Sequence, residues 1–274
     1  MGALFGLFAA LSITGSDFFA RRVTNEIGPI VAASSASLVA TLTALVFALL
    51  TDGSIIATDM LLGSLSGIGF GVGISTYLQA VRISSSAVVA PVNASLATLI
   101  PFVYASVTDT VPPTLAIIAA LATLLGLGFV TVGGAAASNV RAGLPVAAVS
   151  GIGHGVGTVF MIDLSEASGN WPLVPQRGVA VLVVVAYALA RRRPLLPPKR
   201  FAGNVVGAGI FAGGASILLL AGLGFNAPAA SVTVSLFPAA AVISGRLFFG
   251  DSVSRAQVIG LLIVVAGTVG IVVA

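Results

Sequence analysis

The sequence contains no cysteine, which excludes a disulfide framework, thiolate chemistry and a Cys-ligated zinc. Charge is nearly as scarce. Asp, Glu, Lys and Arg make up 7% of 274 residues, where an ordinary soluble domain carries roughly 25%. No segment is hydrophilic enough for a separate soluble domain. What fills the chain is apolar: 58% hydrophobic residues and a mean hydropathy of +1.15. A soluble fold of this length would expose more polar surface than these residues supply. The chain reads as a membrane protein lying mostly inside the bilayer.

A helix needs about 20 mostly apolar residues to cross the hydrocarbon core. Runs of this kind cover 2–20, 29–50, 60–81, 86–107, 112–134, 143–162, 173–190, 203–223, 228–249 and 256–274. The one clear hydrophilic loop runs from Arg191 to Asn204, with Pro194, Pro197 and Pro198. The first run lacks a basic leader and is followed directly by Arg21 and Arg22, so it reads as a retained helix rather than a signal peptide.

The ten runs divide into two halves, 1–138 and 139–274, that resemble each other. Tyr77 to Ala80 and Ser84 to Leu96 align with Leu218 to Ala221 and Phe225 to Phe237 at a shift of 141. Pro29 answers Pro172, and Asp109 answers Asp251. An odd number of helices per half makes equivalent helices cross in opposite directions. The expected fold class is therefore all-α, a polytopic membrane protein with ten transmembrane helices as a 5+5 inverted repeat, as in many secondary transporters.

Basic residues favour the cytoplasmic side. Arg21, Arg22, Arg82, Arg141, Arg191 to Arg193, Lys199, Arg200 and Arg255 fall in odd-numbered loops, with Arg246 near the same face. The opposite face carries Asp52, Asp59, Asp109, Asp163 and Glu166, with Arg177 as its basic residue. This places both termini outside, in an inner or plasma membrane. Nucleic acid is not an expected partner: the pI of 10.3 rests on a net charge of +4, and the arginines are scattered without aromatic interleaving.

Leu236-Phe237-Pro238, Gly250-Asp251, and then Gln257, Gly260, Ala266 and Gly267 resemble the repeat of the drug/metabolite transporter superfamily, EamA type. Pro172 with Arg177 is similar to the Pro-then-Arg start of that family's second-repeat helix. The resemblance covers the whole chain as five plus five spans. It departs at Asp251, where Glu is usual, and at Ser34, where the first half would carry Arg. Members often have both termini in the cytoplasm, the reverse of the charge bias here.

Several residues stand out as site candidates. His154, the single histidine, falls within the sixth span, where an ionisable group usually faces a cavity or a partner. It is a candidate for substrate contact and proton coupling, against a neutral imidazole bonded to the backbone. Asp17 is a coupling candidate, against an i,i+4 pair with Arg21. Arg177 suits an anionic substrate group, against snorkelling or pairing with Asp163 or Glu166. Pro91 and Pro101 break the fourth span among Asn93, Ser95, Thr98 and Tyr104, and Pro238 the ninth among Ser231, Thr233, Ser235 and Ser244. Polar, interrupted helices in matching positions point to a transport site. Tyr77 is a stacking candidate, with a packed tyrosine as the plainer reading.

Gly67 to Gly73 and Gly151 to Gly157 fit a loose GxGxxG, but inside apolar spans they suit helix packing or flexing rather than a dinucleotide. There is no P-loop, no enzyme motif and no cofactor motif. The expected function is secondary transport, as export by alternating access, of an amino-acid-sized neutral or zwitterionic solute. The partners are that small molecule and membrane lipid, with a homodimer left open. Alternatives are a channel or lipid scramblase, or a rhomboid-like protease using Ser75 and His154.

Overall fold

The computed structural model describes residues 1–83, 86–108, 112–132, 140–249 and 254–273. The regular structure among them is helical. The α-helices are α1 (Gly2–Glu26), α2 (Pro29–Leu50), α3 (Ala57–Ile83), α4 (Ser86–Thr108), α5 (Thr114–Val132), α6 (Val140–Val159), α7 (Leu173–Ala190), α8 (Ala202–Val234), α9 (Phe237–Phe249) and α10 (Arg255–Val273). Two single-turn helices, Glu166–Ser168 and Lys199–Phe201, lie in connections. Six helical stretches are long and apolar enough to cross a bilayer, and four more are apolar but shorter. The chain is a polytopic membrane protein.

Local chemistry sets the helix ends. Gly28, at φ 115°, takes a backbone conformation that L side chains rarely adopt, and Pro29 then starts α2 with its φ already helical. Asn226 leaves the helical region inside α8 (φ −166°, ψ 94°). Its Oδ1 accepts from Ala229 N at 2.9 Å, an N-cap that starts a new helical stretch. The eighth span therefore ends at Asn226, and the ninth begins there. The ninth then breaks again at Ser235 and Leu236 before α9 resumes with Pro238 as its second residue.

Two expectations need correction. α4 runs through Pro91 and Pro101 as one helix, because each proline removes one backbone donor and the flanking ladder holds. Hydrophilic connection is also not confined to 191–204. The α6–α7 connector, residues 160–172, is a structured loop, because polar side chains at Asp163, Ser165 and Glu166 end the apolar run. The half boundary at 138/139 lies outside the described residues, as do Asp109, Gly250 and Asp251.

The packing has a regular pattern. α1 lies against α8 and α9, while α6 lies against α3 and α4. α2 packs on α8, and α7 on α3; α2 meets α7, and α5 meets α10. Advancing each label by five, cyclically, exchanges α1·α8 with α6·α3, α1·α9 with α6·α4 and α2·α8 with α7·α3, and leaves α2·α7 and α5·α10 as they are.

Glycines carry these close approaches. A Cβ on Gly67 or Gly71 of α3 would strike Val179 or Val183 of α7. On Gly209 or Gly213 of α8 it would strike Val39 or Thr43 of α2. Gly69 meets Gly153 and Gly157 of α6, while Gly151 and Gly155 meet α4. With no hydrophobic drive between helices in lipid, small residues let backbones approach and dispersion holds them. Alanine dominates the buried core, and many leucine, isoleucine and phenylalanine side chains face outward.

Candidate functional site

α3, α4 and α6 converge on a buried polar cluster. Ser150 of α6 is fully buried, and its Oγ lies 2.8 Å from Gly73 O and 2.7 Å from Asn93 Oδ1. One turn on, His154 Nδ1 lies 3.0 Å from Ser150 O and 3.0 Å from Asn93 Oδ1. A carbonyl only accepts, so Nδ1 carries the proton and donates. The other ring nitrogen, Nε2, then has its lone pair free, and it makes no hydrogen bond among the described residues. Phe70 packs edge-on against the imidazole, with centroids 5.6 Å apart. A Cβ on Gly73 would come within 2.6 Å of His154 Nδ1, so Gly73 makes room for the ring.

Arg177 adds a charge to the same region. Its Nη2 donates to Ala212 O at 2.8 Å and to the Ser216 hydroxyl on α8. Nε is buried without a partner. Neither snorkelling nor an ion pair with Asp163 or Glu166 is seen: Tyr104 binds Asp163, Glu166 is exposed, and Arg177 turns across the bundle to α8. The interior thus holds a cation with neutral partners only, among the described residues.

The other candidates divide. Thr98 is buried, with its hydroxyl on Ala94 O of its own helix at 2.8 Å. Ser95 is half-buried. Ser231 is fully buried with its hydroxyl unbonded. Ser235 donates to Val232 O at 2.6 Å, which caps the break in the ninth span. Tyr104 sits at the exposed end of α4, away from the cluster. Tyr77 packs against the cluster of Ala80, Val89 and Ala147, the plainer of its two readings. Ser75 is buried with its hydroxyl unbonded, so it forms no hydrogen-bonded dyad with His154.

Asp17 makes no ion pair with Arg21. Its carboxylate has no hydrogen-bond or ion-pair partner among the described residues, and it is exposed to a small recess of about 120 Å³. The helical i,i+4 pairing is therefore not formed.

Sequence reasoning missed Ser150 and Gln176. Ser150 ties His154 to Asn93. Gln176 is 1% exposed and donates to Ser66 Oγ at 3.2 Å and Met161 Sδ at 2.8 Å. Among the serines of an apolar helix, Ser150 gives no signal until α4 is placed beside it. It also missed Asp59, which is 4% exposed and accepts from Ser165 N at 3.1 Å and from the Ser168 hydroxyl, tying the α6–α7 connector to the start of α3.

A helical membrane bundle with a polar, charge-bearing interior suits the handling of a small solute. Comparison with known proteins agrees. Residues 141–273, helices α6 to α10, match the EamA-like transporter family. That half of the chain thus resembles a family of membrane transporters of small solutes. One solved structure, described simply as the crystal structure of a protein, superposes with a TM-score of 0.77 at 17% identity. That match covers 98% of this chain and 95% of the other, and at such identity it shows the fold alone. No curated protein matches the sequence.

Proposed function

We propose that the chain is a secondary transporter that exports an amino-acid-sized zwitterionic or neutral solute by alternating access. The observation that carries this reading is Arg177, a guanidinium inside the bundle whose partners are a carbonyl and a hydroxyl. A solute carboxylate supplies the missing anion through charge-assisted hydrogen bonds. The free lone pair on His154 Nε2 accepts from the solute's ammonium or hydroxyl group, and Asn93 and Ser150 hold the ring in that tautomer. His154, held in that tautomer beside the solute, is the coupling candidate.

The five-step exchange of helix contacts supports an inverted repeat. So do the two glycine pairs, Gly67 with Gly71 and Gly209 with Gly213, each seated on a helix of the other half. Two related halves can rock about one site and open it to each side in turn. One charged anchor favours small solutes over nucleotides, whose phosphates call for several arginines.

The test is a thermal-shift screen of the purified protein with amino acids, since a ligand bound to the folded state raises the unfolding temperature. Arg177→Ala and Arg177→Lys should both abolish the shift, because lysine lacks the planar fork. A shift that survives Arg177→Ala would overturn the assignment.

A further inference from the structure

Residues 160–172, between α6 and α7, do more than join two helices. Met161 is 1% exposed. With Ile162 and Leu164 it belongs to an apolar cluster that also takes in Ala9 of α1, Ala44 of α2, Ala105 of α4 and Leu219 of α8. Loops ordinarily run over the surface, where water satisfies their backbone. This one sends three large apolar side chains into the bundle. Met161 lies seven residues beyond His154, roughly 10 Å along the helix direction, toward the face that carries Asp163 and Glu166. The connector therefore plugs the bundle between the polar cluster and that acidic face.

The polar side of the connector is tied down. Asp59, 4% exposed at the start of α3, accepts from Ser165 N at 3.1 Å and from the Ser168 hydroxyl. Ser54 N donates to Ala167 O at 2.7 Å, and the Tyr104 hydroxyl at the end of α4 donates to Asp163. Gly169, at φ 52°, turns the chain back over Asp52 O, where a Cβ would collide. Residues ahead of α6 thus hold a segment that follows it. Any rocking that opens this face must break those ties. The strongest is the buried carboxylate, since bonds to a charged acceptor outweigh neutral ones.

The other face has no such device. Under the five-step exchange α6 and α7 answer to α1 and α2, which are joined by Ile27 and Gly28 alone. Two residues leave no length for a plug. The plug also touches the neighbours of both site residues. Phe70 packs on the His154 ring and on the plug's cluster. Gln176, which precedes Arg177, donates from Nε2 to Met161 Sδ at 2.8 Å.

We infer that the α6–α7 connector is the gate of the acidic face, with Met161, Ile162 and Leu164 as its plug and Asp59 as its latch. Opening lifts the plug from the cluster and frees Ser165 and Ser168 from the Asp59 carboxylate. A solute held by Arg177 and His154 meets the plug through Gln176 and Phe70, so occupancy and gate position bias each other. The gate rests on the alternating-access reading given above.

The absence of native cysteine allows a direct test. Ala105→Cys places a thiol in the plug's cluster. Ala147→Cys places one seven residues before His154, on the other side of the site; both alanines are fully buried. Each protein, in nanodiscs, is labelled with a charged, water-soluble maleimide. Adding Asp59→Ala should speed labelling of Ala105→Cys about tenfold or more, the weight of one hydrogen bond to a charged group. Ser168→Ala should act in the same direction and less, and serves if Asp59→Ala does not fold. Ala147→Cys should stay slow in both. Unchanged labelling of Ala105→Cys, or an equal rise at both positions, would overturn the gate. Asp59→Cys with Ser168→Cys, bridged by a short bis-methanethiosulfonate, should stop counterflow in proteoliposomes, and reduction should restore it. Counterflow that continues in the bridged protein would overturn the gate and leave the transport reading standing. An unbridged protein without counterflow would instead remove the transport reading.

Discussion

Gly73 shows what a single atom decides in this bundle. Its missing Cβ is the space occupied by the His154 ring, and the ring's placement leads through Ser150 and Asn93 to a defined tautomer. Gly73→Ala should push the imidazole off Asn93 and destabilise the protein by roughly 1–3 kcal/mol, the usual range for overpacking. Thermal unfolding in detergent checks this; an unchanged midpoint would mean that α3 and α6 separate without cost. His154 stands out in the sequence because a lone ionisable group inside an apolar run is conspicuous. Its bonding does not. Asn93 and Ser150 are 57 residues apart in sequence, and nothing local announces that they meet. Arg177 was legible as an oddity, but its partners were not, since only the position of α8 shows where a flexible side chain finds acceptors.

At the scale of elements, apolar length did most of the work of locating the helices. The runs 29–50 and 173–190 reappear as α2 and α7 with the same bounds, because proline opens each of them and polar residues close each of them. The ninth span was less transparent. Pro238 marks it as interrupted, and the break falls at Ser235 and Leu236, which puts the proline in the first turn of α9, where its missing N–H costs nothing. Pro91 and Pro101 give the same signal in α4 and no break follows. Proline alone therefore does not decide between a kink and a rupture.

The connectors matter as much as the spans. Ser54 N donates to Ala167 O at 2.7 Å, Asn170 Nδ2 to Thr51 Oγ1 at 3.1 Å, and Asp59 accepts from Ser165 and Ser168. These bonds strap the α6–α7 connector across the ends of α2 and α3. Trp171, the single tryptophan, sits on this strap beside Gly53 and reports on it. Asp59→Ala should shift Trp171 emission to the red and raise its quenching by acrylamide. Unaltered fluorescence would show that the remaining bonds hold the connector alone.

For the whole molecule, equal helix numbers and weak self-similarity suggested two related halves before any contact was known. Sparse identities limit how far apolar sequence can be aligned, because leucine, valine and alanine exchange freely wherever they face lipid. Packing is a stricter witness, because in related halves glycine pairs and helix neighbours must match in space; α1 on α8 and α6 on α3 follow such a pattern, and α4 on α8 and α1 on α2 do not. Sidedness rests on charge. Arg200 pairs with Glu26 at 3.0 Å, and Arg191 stacks on Tyr187, both at the arginine-rich end. The bias of Lys and Arg toward that end expects a reporter fused after Ala274 to read as extracytoplasmic. A cytoplasmic signal would reverse the orientation.

Counterflow in proteoliposomes tests the transport claim most directly. Vesicles preloaded with an amino acid that stabilises the protein should take up labelled solute at a saturable rate, faster than empty vesicles, and Arg177→Ala should remove that uptake. A flux that rises linearly with concentration and ignores the solute inside would mean a pore, and it would contradict alternating access.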